Sequence, residues 1–255
     1  MGIKQILLSV VAMCGIVGAG AKPATEVVAH RGYWKAEGSA QNSVASLKKA
    51  IEIGARGSEC DVYITTDGVG VVHHDPTIDG KRIDESTYAA LKDCKLSNGE
   101  AIPTLDELLA IARKQKHTKL IIEIKSHNTQ EKEAAAVDAV LKLVKKNKMD
   151  KLVEYISFSQ NVCERLIALS PKAKVAYLGS DLTPKQLSDK GYTGLDYHIG
   201  AMRAHEEWFD EAKQLGLEVN VWTVDDEPNM KWLIGKGVTY ITTDEPVMLQ
   251  KLLAE

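Results

Sequence analysis

Cysteine is scarce in this chain, with four in 255 residues. Cleavage after Ala21 would leave Cys60, Cys94 and Cys163, an odd set that excludes a complete disulfide framework. Nothing groups them as metal ligands. Basic residues are not in excess, since 32 Lys and Arg stand against 35 Asp and Glu, for a net charge of −3. That argues against a general nucleic-acid binder, which is normally basic. No repeat is visible in the sequence. The apolar stretch from Ile6 to Val17 is too short to favour a membrane span.

That stretch has instead the features of a targeting segment covering residues 1–21. Lys4 supplies the positive start, and Ala19-Gly20-Ala21 fits the small-residue cleavage rule. The expected mature chain, residues 22–255, is exported to a periplasm or to the medium. The alternative is a lipid anchor at Cys14, but Met13 before it is larger than the residue such sites usually carry.

What the chain does carry is a set of charged side chains at the ends of short apolar strands. Val27-Val28-Ala29 reads as a strand running into His30-Arg31-Gly32. In Ser58-Glu59-Cys60-Asp61-Val62 the carboxylates alternate, which on a strand puts both on one face and Cys60 and Val62 on the other. Asp67-Gly68 reads as a hairpin turn before Val69–Val72. His73 and His74 follow and point opposite ways, so only one is expected to reach the site. In Ile121-Ile122-Glu123-Ile124-Lys125 the same alternation puts Glu123 and Lys125 on one face. Buried charge needs compensation. A divalent metal with an anionic substrate is a candidate source of it. Glu59, Asp61 and Glu123 are hard oxygen ligands, which select Mg²⁺ or Ca²⁺ over zinc.

The motifs His30-Arg31-Gly32, Glu59-Cys60-Asp61-Val62, His74-Asp75-Pro76, Glu123-Ile124-Lys125 and Trp222-Thr223-Val224 together resemble the glycerophosphodiester phosphodiesterases. The resemblance runs from Val27 to Pro246. It implies a TIM barrel with metal on Glu59, Asp61 and Glu123. It further implies an acid/base pair, His30 and His74, with Arg31 and Lys125 near the phosphate. The choice of His74 over His73 comes from this pattern. One departure is local: where the family usually has Pro-Glu-Asn-Thr, this chain reads Ala40-Gln41-Asn42-Ser43, with a neutral Gln41 in place of the acid.

The rest of the chain supports that architecture independently. From Val153 onwards short apolar runs alternate with helical patterns, among them Glu206–Leu215, giving about eight strand-then-helix units, the pattern of a closed α/β barrel. A polar excursion at about 79–100 makes a small insertion after the second strand. Active sites of such barrels lie at the C-terminal ends of the strands, where His30, Glu59, Asp61, Glu123 and Lys125 all fall. Ser157, Trp222 and Thr242 fall at similar points of later strands.

Plainer readings exist for each residue. His30 and Arg31 would be a surface pair, and Glu59 and Asp61 structural partners of Arg56 or Lys125. Lys125 is either a phosphate contact or a counter-ion of Glu123, and Trp222 either a substrate wall or core. The charge balance favours an anionic ligand. Three carboxylates, a divalent cation, Arg31 and Lys125 leave one net positive charge, which a phosphodiester neutralises. The expected function is therefore metal-dependent hydrolysis of a small glycerophosphodiester by two histidines. The alternatives are a non-catalytic phosphodiester-binding protein and another metal-dependent enzyme of sugar phosphates on the same barrel.

Overall fold

Alternation along the strands decides the architecture, because each strand presents one apolar face to covering helices and the other to its own neighbours across a closed sheet. The computed structural model describes residues 25–255, so the expected leader (residues 1–21) and Cys14 lie outside it. In chain order the first elements are β1 (Glu26–Ala29), α1 (Val44–Glu52), β2 (Gly57–Ile64), β3 (Gly70–Val72), β4 (Thr77–Ile78), β5 (Lys81–Arg82), α2 (Tyr88–Leu91) and α3 (Leu105–Ala112). Then follow β6 (Lys119–Ile124), α4 (Gln130–Asn147), β7 (Val153–Ser157), α5 (Gln160–Leu169), β8 (Val175–Tyr177) and α6 (Pro184–Asp189). The last are β9 (Gly194–His198), α7 (Ile199–Ala204), α8 (Glu207–Leu215), β10 (Glu218–Trp222), α9 (Glu227–Lys236), β11 (Tyr240–Thr243) and α10 (Pro246–Leu253).

Strands β1, β2, β6, β7, β8, β9, β10 and β11 pair in parallel in that order, and β11 returns to β1 to close a TIM barrel. Outward residues of β2 and β6, among them Cys60, Val62, Ile122 and Ile124, join the main core under the helices. Inward residues Val28, Ile121, Ile156, Leu178 and Tyr240 fill the barrel interior. Cys60, Cys94 and Cys163 are all free and buried, acting as small apolar residues.

The helices start where the sequence offers caps. Ser43 accepts from the Ser46 N–H, and Thr104 with Glu107 forms a reciprocal capping box. Thr183 and Gln186 repeat that box ahead of Pro184, and Gly216 ends α8 in the left-handed conformation. The sequence reading contains no counterpart of α7. Its six residues, Ile199–Ala204, include Gly200 and are too few to show a helical period.

Two departures from a plain barrel position the site. β2 pairs with β1 only at Gly57 and Ser58, and β3 takes up the vacated edge in antiparallel register, Val62 opposite Val72. The hairpin therefore rises above the barrel rim, and His73 N–H donates to the Asp61 carbonyl at 3.0 Å. The excursion that follows closes on a small core of its own, including Ile83, Leu91 and Ile102 against Tyr63 and Val71.

Candidate active site

Register brings the acidic residues together. Asp61 on β2 lies beside Glu123 on β6, two residues above the pair Glu59 and Ile121. Ligand oxygens of Glu59, Asp61 and Glu123 all lie within 4.8 Å of one another, and the three side chains are buried. Lys125 Nζ donates to Asp61 Oδ1 at 3.0 Å and lies 2.7 Å from Glu123 Oε1. Asn42 fixes Asp61 from the other side: Nδ2 donates to Oδ2 at 2.7 Å, while Oδ1 accepts the Asp61 N–H at 3.0 Å.

The turn after β1 is built around this cluster. Arg31 sits at a φ of 54°, and its N–H donates to Glu59 Oε2 at 2.8 Å. A non-glycine residue there is strained. Gly32 follows at a φ of 75°, and a Cβ there would lie 2.4 Å from Ser46 Oγ, so only glycine fits. The Arg31 guanidinium donates to Gln41 Oε1 at 2.6 Å, and its Nε lies 3.7 Å from Asp61 Oδ2. Gln41 thus holds the arginine without neutralising it.

Crowding of like charge shifts these groups. Burial, then Asp61 and Glu123, push the Glu59 carboxyl well up from the usual range. Glu123 is pushed up to about 7, first by burial and then by Asp61, against the opposing Lys125. Burial pushes Asp61 up as well, but Lys125 and the Asn42 hydrogen bond outweigh it and hold the group below its ordinary value. Lys125 is half-buried, which lowers it, yet the two carboxylates outweigh this and raise it. After all this pairing, Glu59 Oε1 remains buried with no hydrogen-bond partner. A buried carboxylate oxygen without a partner is costly. Together with three hard donors facing one point, it fits a divalent cation.

Both expected histidines border the same cavity, of about 150 Å³, as Arg31, Glu59, Glu123 and Lys125. His30 Nδ1 lies 2.8 Å from Asp244 Oδ1, which also accepts from Trp34 Nε1 at 2.8 Å. With Asp244 accepting a hydrogen bond from Nδ1–H, Nε2 is the nitrogen left for chemistry. These hydrogen bonds outweigh the burial that pushes Asp244 up, and its carboxyl is held below its ordinary value. His74 Nδ1 lies 2.8 Å from Asp75 Oδ1, and burial lowers this histidine. His73 turns away, with Nδ1 at 2.9 Å from the Asp75 carbonyl two residues on.

The opposite wall is apolar. Trp222 borders the cavity, its Nε1 donating to the Asp196 carbonyl at 2.9 Å. Phe158, exposed at the mouth, packs edge-on against it at 5.6 Å. Thr242 also borders the cavity, whereas Ser157 is spent on the Ile124 carbonyl at 2.7 Å and stays outside. Asp196, buried on the cavity wall, is pushed up to about 7 by burial. The sequence reading misses Asp244, Asn42 and Phe158. Asp244 carries the signal used for His30, a charged residue directly after a barrel strand, but it falls on the last strand where no motif draws attention.

Comparison with known proteins identifies a family. The model of the Glycerophosphoryl diester phosphodiesterase family matches residues 30–248. The chain is 29% identical over 245 residues to a glycerophosphodiester phosphodiesterase of Caldanaerobacter subterraneus, covering 90% of this chain and 98% of that one. A crystal structure of a glycerophosphodiester phosphodiesterase from Parabacteroides distasonis superposes with a TM-score of 0.90 at 50% identity, covering 92% of this chain and 98% of that one. An Oleispira antarctica phosphodiesterase, solved with its product sn-glycerol-3-phosphate, shares the fold with a TM-score of 0.78 at 24% identity, covering 91% and 98%. The chain belongs to the glycerophosphoryl diester phosphodiesterase family.

Proposed function

We propose that the protein hydrolyses glycerophosphodiesters to an alcohol and glycerol 3-phosphate, with Glu59, Asp61 and Glu123 holding a divalent cation, Mg²⁺ or Ca²⁺. The observation that carries this reading is the unpartnered Glu59 Oε1 inside an acidic cluster that opens into one cavity with both histidines. The cation, when bound, supplies positive charge to the phosphoryl oxygens. Arg31 and Lys125 flank the same point and orient the phosphate, Arg31 with a guanidinium that no carboxylate fully neutralises. One histidine, neutral, takes the proton of the attacking oxygen. The other, protonated, gives a proton to the leaving alcohol as the P–O bond breaks. Asp244 and Asp75 hold the two rings by Nδ1, so both present Nε2. Trp222 and Phe158 form a dry wall that keeps the carbon chain of the glycerol away from bulk water.

Export belongs to the same proposal. Removal of residues 1–21 would place the mature enzyme in a periplasm or the medium, and intact mass of the exported chain checks it by a start at Lys22 without lipid.

The deciding experiment measures turnover of glycerophosphodiesters by the mature chain with Mg²⁺, Ca²⁺ or chelator, alongside His30→Ala and His74→Ala. Each variant should lose roughly a hundredfold or more in kcat while still binding metal. Near-normal turnover in either variant, or full activity in chelator, removes the corresponding part of the reading.

A further inference from the structure

The catalytic cavity does not end at His74. On the far side of that ring lies a second recess of about 590 Å³, nearly four times the volume of the first, and His74 is the residue that borders both. One wall is the segment from Trp34 to Asn42. The other is the excursion after the hairpin, at Lys95, Leu96 and Ser97. We propose that this recess receives the alcohol half of the diester and selects uncharged polyol head groups, such as a sugar or an inositol, over cationic amine head groups. The proposal rests on the phosphodiesterase reading above and deepens it.

Size gives the first reason. The smaller cavity has room beside the metal cluster for a phosphate and the three-carbon glycerol, and whatever is esterified beyond must pass His74. The chemistry of the recess gives the second. A quaternary or primary ammonium group needs a free carboxylate or an open aromatic face. The carboxylate that lines the recess is Asp75, whose Oδ1 is held by His74 at 2.8 Å and whose charge is shared with that ring. The Trp34 ring is faced by Lys35 Nζ at 5.6 Å, and its Nε1 is spent on Asp244. Lys95, exposed and in no salt bridge among the described residues, adds a repelling positive charge.

A polyol meets the opposite situation. Ser39 Oγ is buried on this wall without a hydrogen-bond partner. Gln41 gives its Oε1 to Arg31 and keeps its amide donors for a ligand. Ser97 and Lys95 add donors at the rim, and buried Ile78 and Leu96 form an apolar floor for C–H groups. Several donors and acceptors over an apolar floor is how a protein holds a hydroxylated ring. A site built to hydrogen-bond hydroxyls discriminates strongly against ligands lacking them.

The test compares kcat/KM of the mature enzyme on glycerophosphoinositol, glycerophosphocholine and glycerophosphoethanolamine, with Mg²⁺ present. The inositol diester should be preferred by at least tenfold. Lys95→Glu should shrink that preference several-fold by lowering KM for the choline diester. Ser39→Ala should raise KM for the inositol diester several-fold and leave the choline diester unchanged. A choline diester turned over as well as the inositol diester overturns the selectivity while the hydrolase reading stands. Equal responses of all three diesters to both variants overturn the placement of the head group. Failure to cleave any diester overturns both readings together, starting from the function.

Discussion

The two ends of the barrel carry similar charges and treat them differently. At the N-terminal end Arg56 donates to both Glu154 oxygens, at 2.6 and 2.7 Å, and to the Tyr240 hydroxyl, while its guanidinium lies 4.0 Å over the Tyr240 ring. Lys174 closes the set on Glu218 at 2.6 Å, and Tyr240 donates to the same carboxylate at 2.9 Å. There the buried carboxylate, Glu154, is matched by a cation, the third carboxylate, Glu26, lies exposed 3.5 Å from Arg56 Nε, and the cluster works as a plug. At the C-terminal end two cations, Arg31 and Lys125, face three buried carboxylates. One carboxylate oxygen is left with nothing, and two of the carboxyls are raised. A buried excess of one sign, rather than burial of charge as such, is what separates the site from the scaffold.

The contrast is sharpest in a pair of variants. Glu59→Gln removes a charge that the fold does not compensate, so turnover should fall by roughly a thousandfold or more as a metal ligand is lost. Stability of the chelated variant in urea should be unchanged or rise by about 1 kcal/mol, because like-charge repulsion is relieved. Arg56→Ala leaves the buried Glu154 without its bidentate partner, with only Lys174 at 3.8 Å, which should cost up to about 3–5 kcal/mol of stability. Its folded fraction should keep normal KM and kcat. If Glu59→Gln destabilises as much as Arg56→Ala, the two ends are not different in kind.

Stability against pH should separate them again. Glu123 titrates at about 7 in the folded chain. Unfolded, it titrates near 4.3. Between those values the folded state binds more protons than the unfolded one, so stability falls as pH rises through that window. Glu59 and Asp196 are raised too and act in the same direction. His74 and His127, lowered first by burial, act in the opposite direction and offset part of this; stability of the chelated protein should still drop from pH 5 to pH 7, by an amount on the order of 1 kcal/mol. Saturating Mg²⁺ or Ca²⁺ should flatten the slope by holding the carboxylates ionised. A chelated protein equally stable at both pH values would show that the excess charge at the mouth is compensated after all.

How much of this was legible beforehand follows from what each feature depends on. The alternation of Glu59 with Cys60 and of Glu123 with Ile124 is local, and so are the strand and the face of each carboxylate. The caps at Ser43, Thr104 and Thr183 are equally local and start helices where the side chains imply. Asp244 was not legible because its meaning comes from closure: β11 beside β1 brings it to His30 across 214 positions of sequence. Asn42 was invisible as a clamp because its role needs a φ of 61°, which composition does not announce. The plug at the floor could not be told from the site by residue type. Arg56 was open as a partner for Glu59 or Asp61, and only the register assigns it to Glu154.

Gln41 offers the smallest and most specific way to probe the difference between the two ends. At the floor, Arg56 is matched by a bidentate carboxylate and has no charge to spare. At the mouth, Arg31 is held by a neutral amide oxygen at 2.6 Å and lies 3.7 Å from Asp61. Gln41→Glu would give the upper arginine a matching carboxylate of its own, as the lower one has. The guanidinium would keep its position but pass part of its charge to Glu, so the phosphate of the substrate would be bound less tightly. A partly exposed charge pair of this kind is worth up to about 1 kcal/mol. KM for a glycerophosphodiester should then rise several-fold with kcat nearly unchanged, and the rise should shrink in high salt. An unchanged KM would mean that Arg31 serves the cluster of carboxylates and not the substrate. The upper arginine would then be as structural as the lower one.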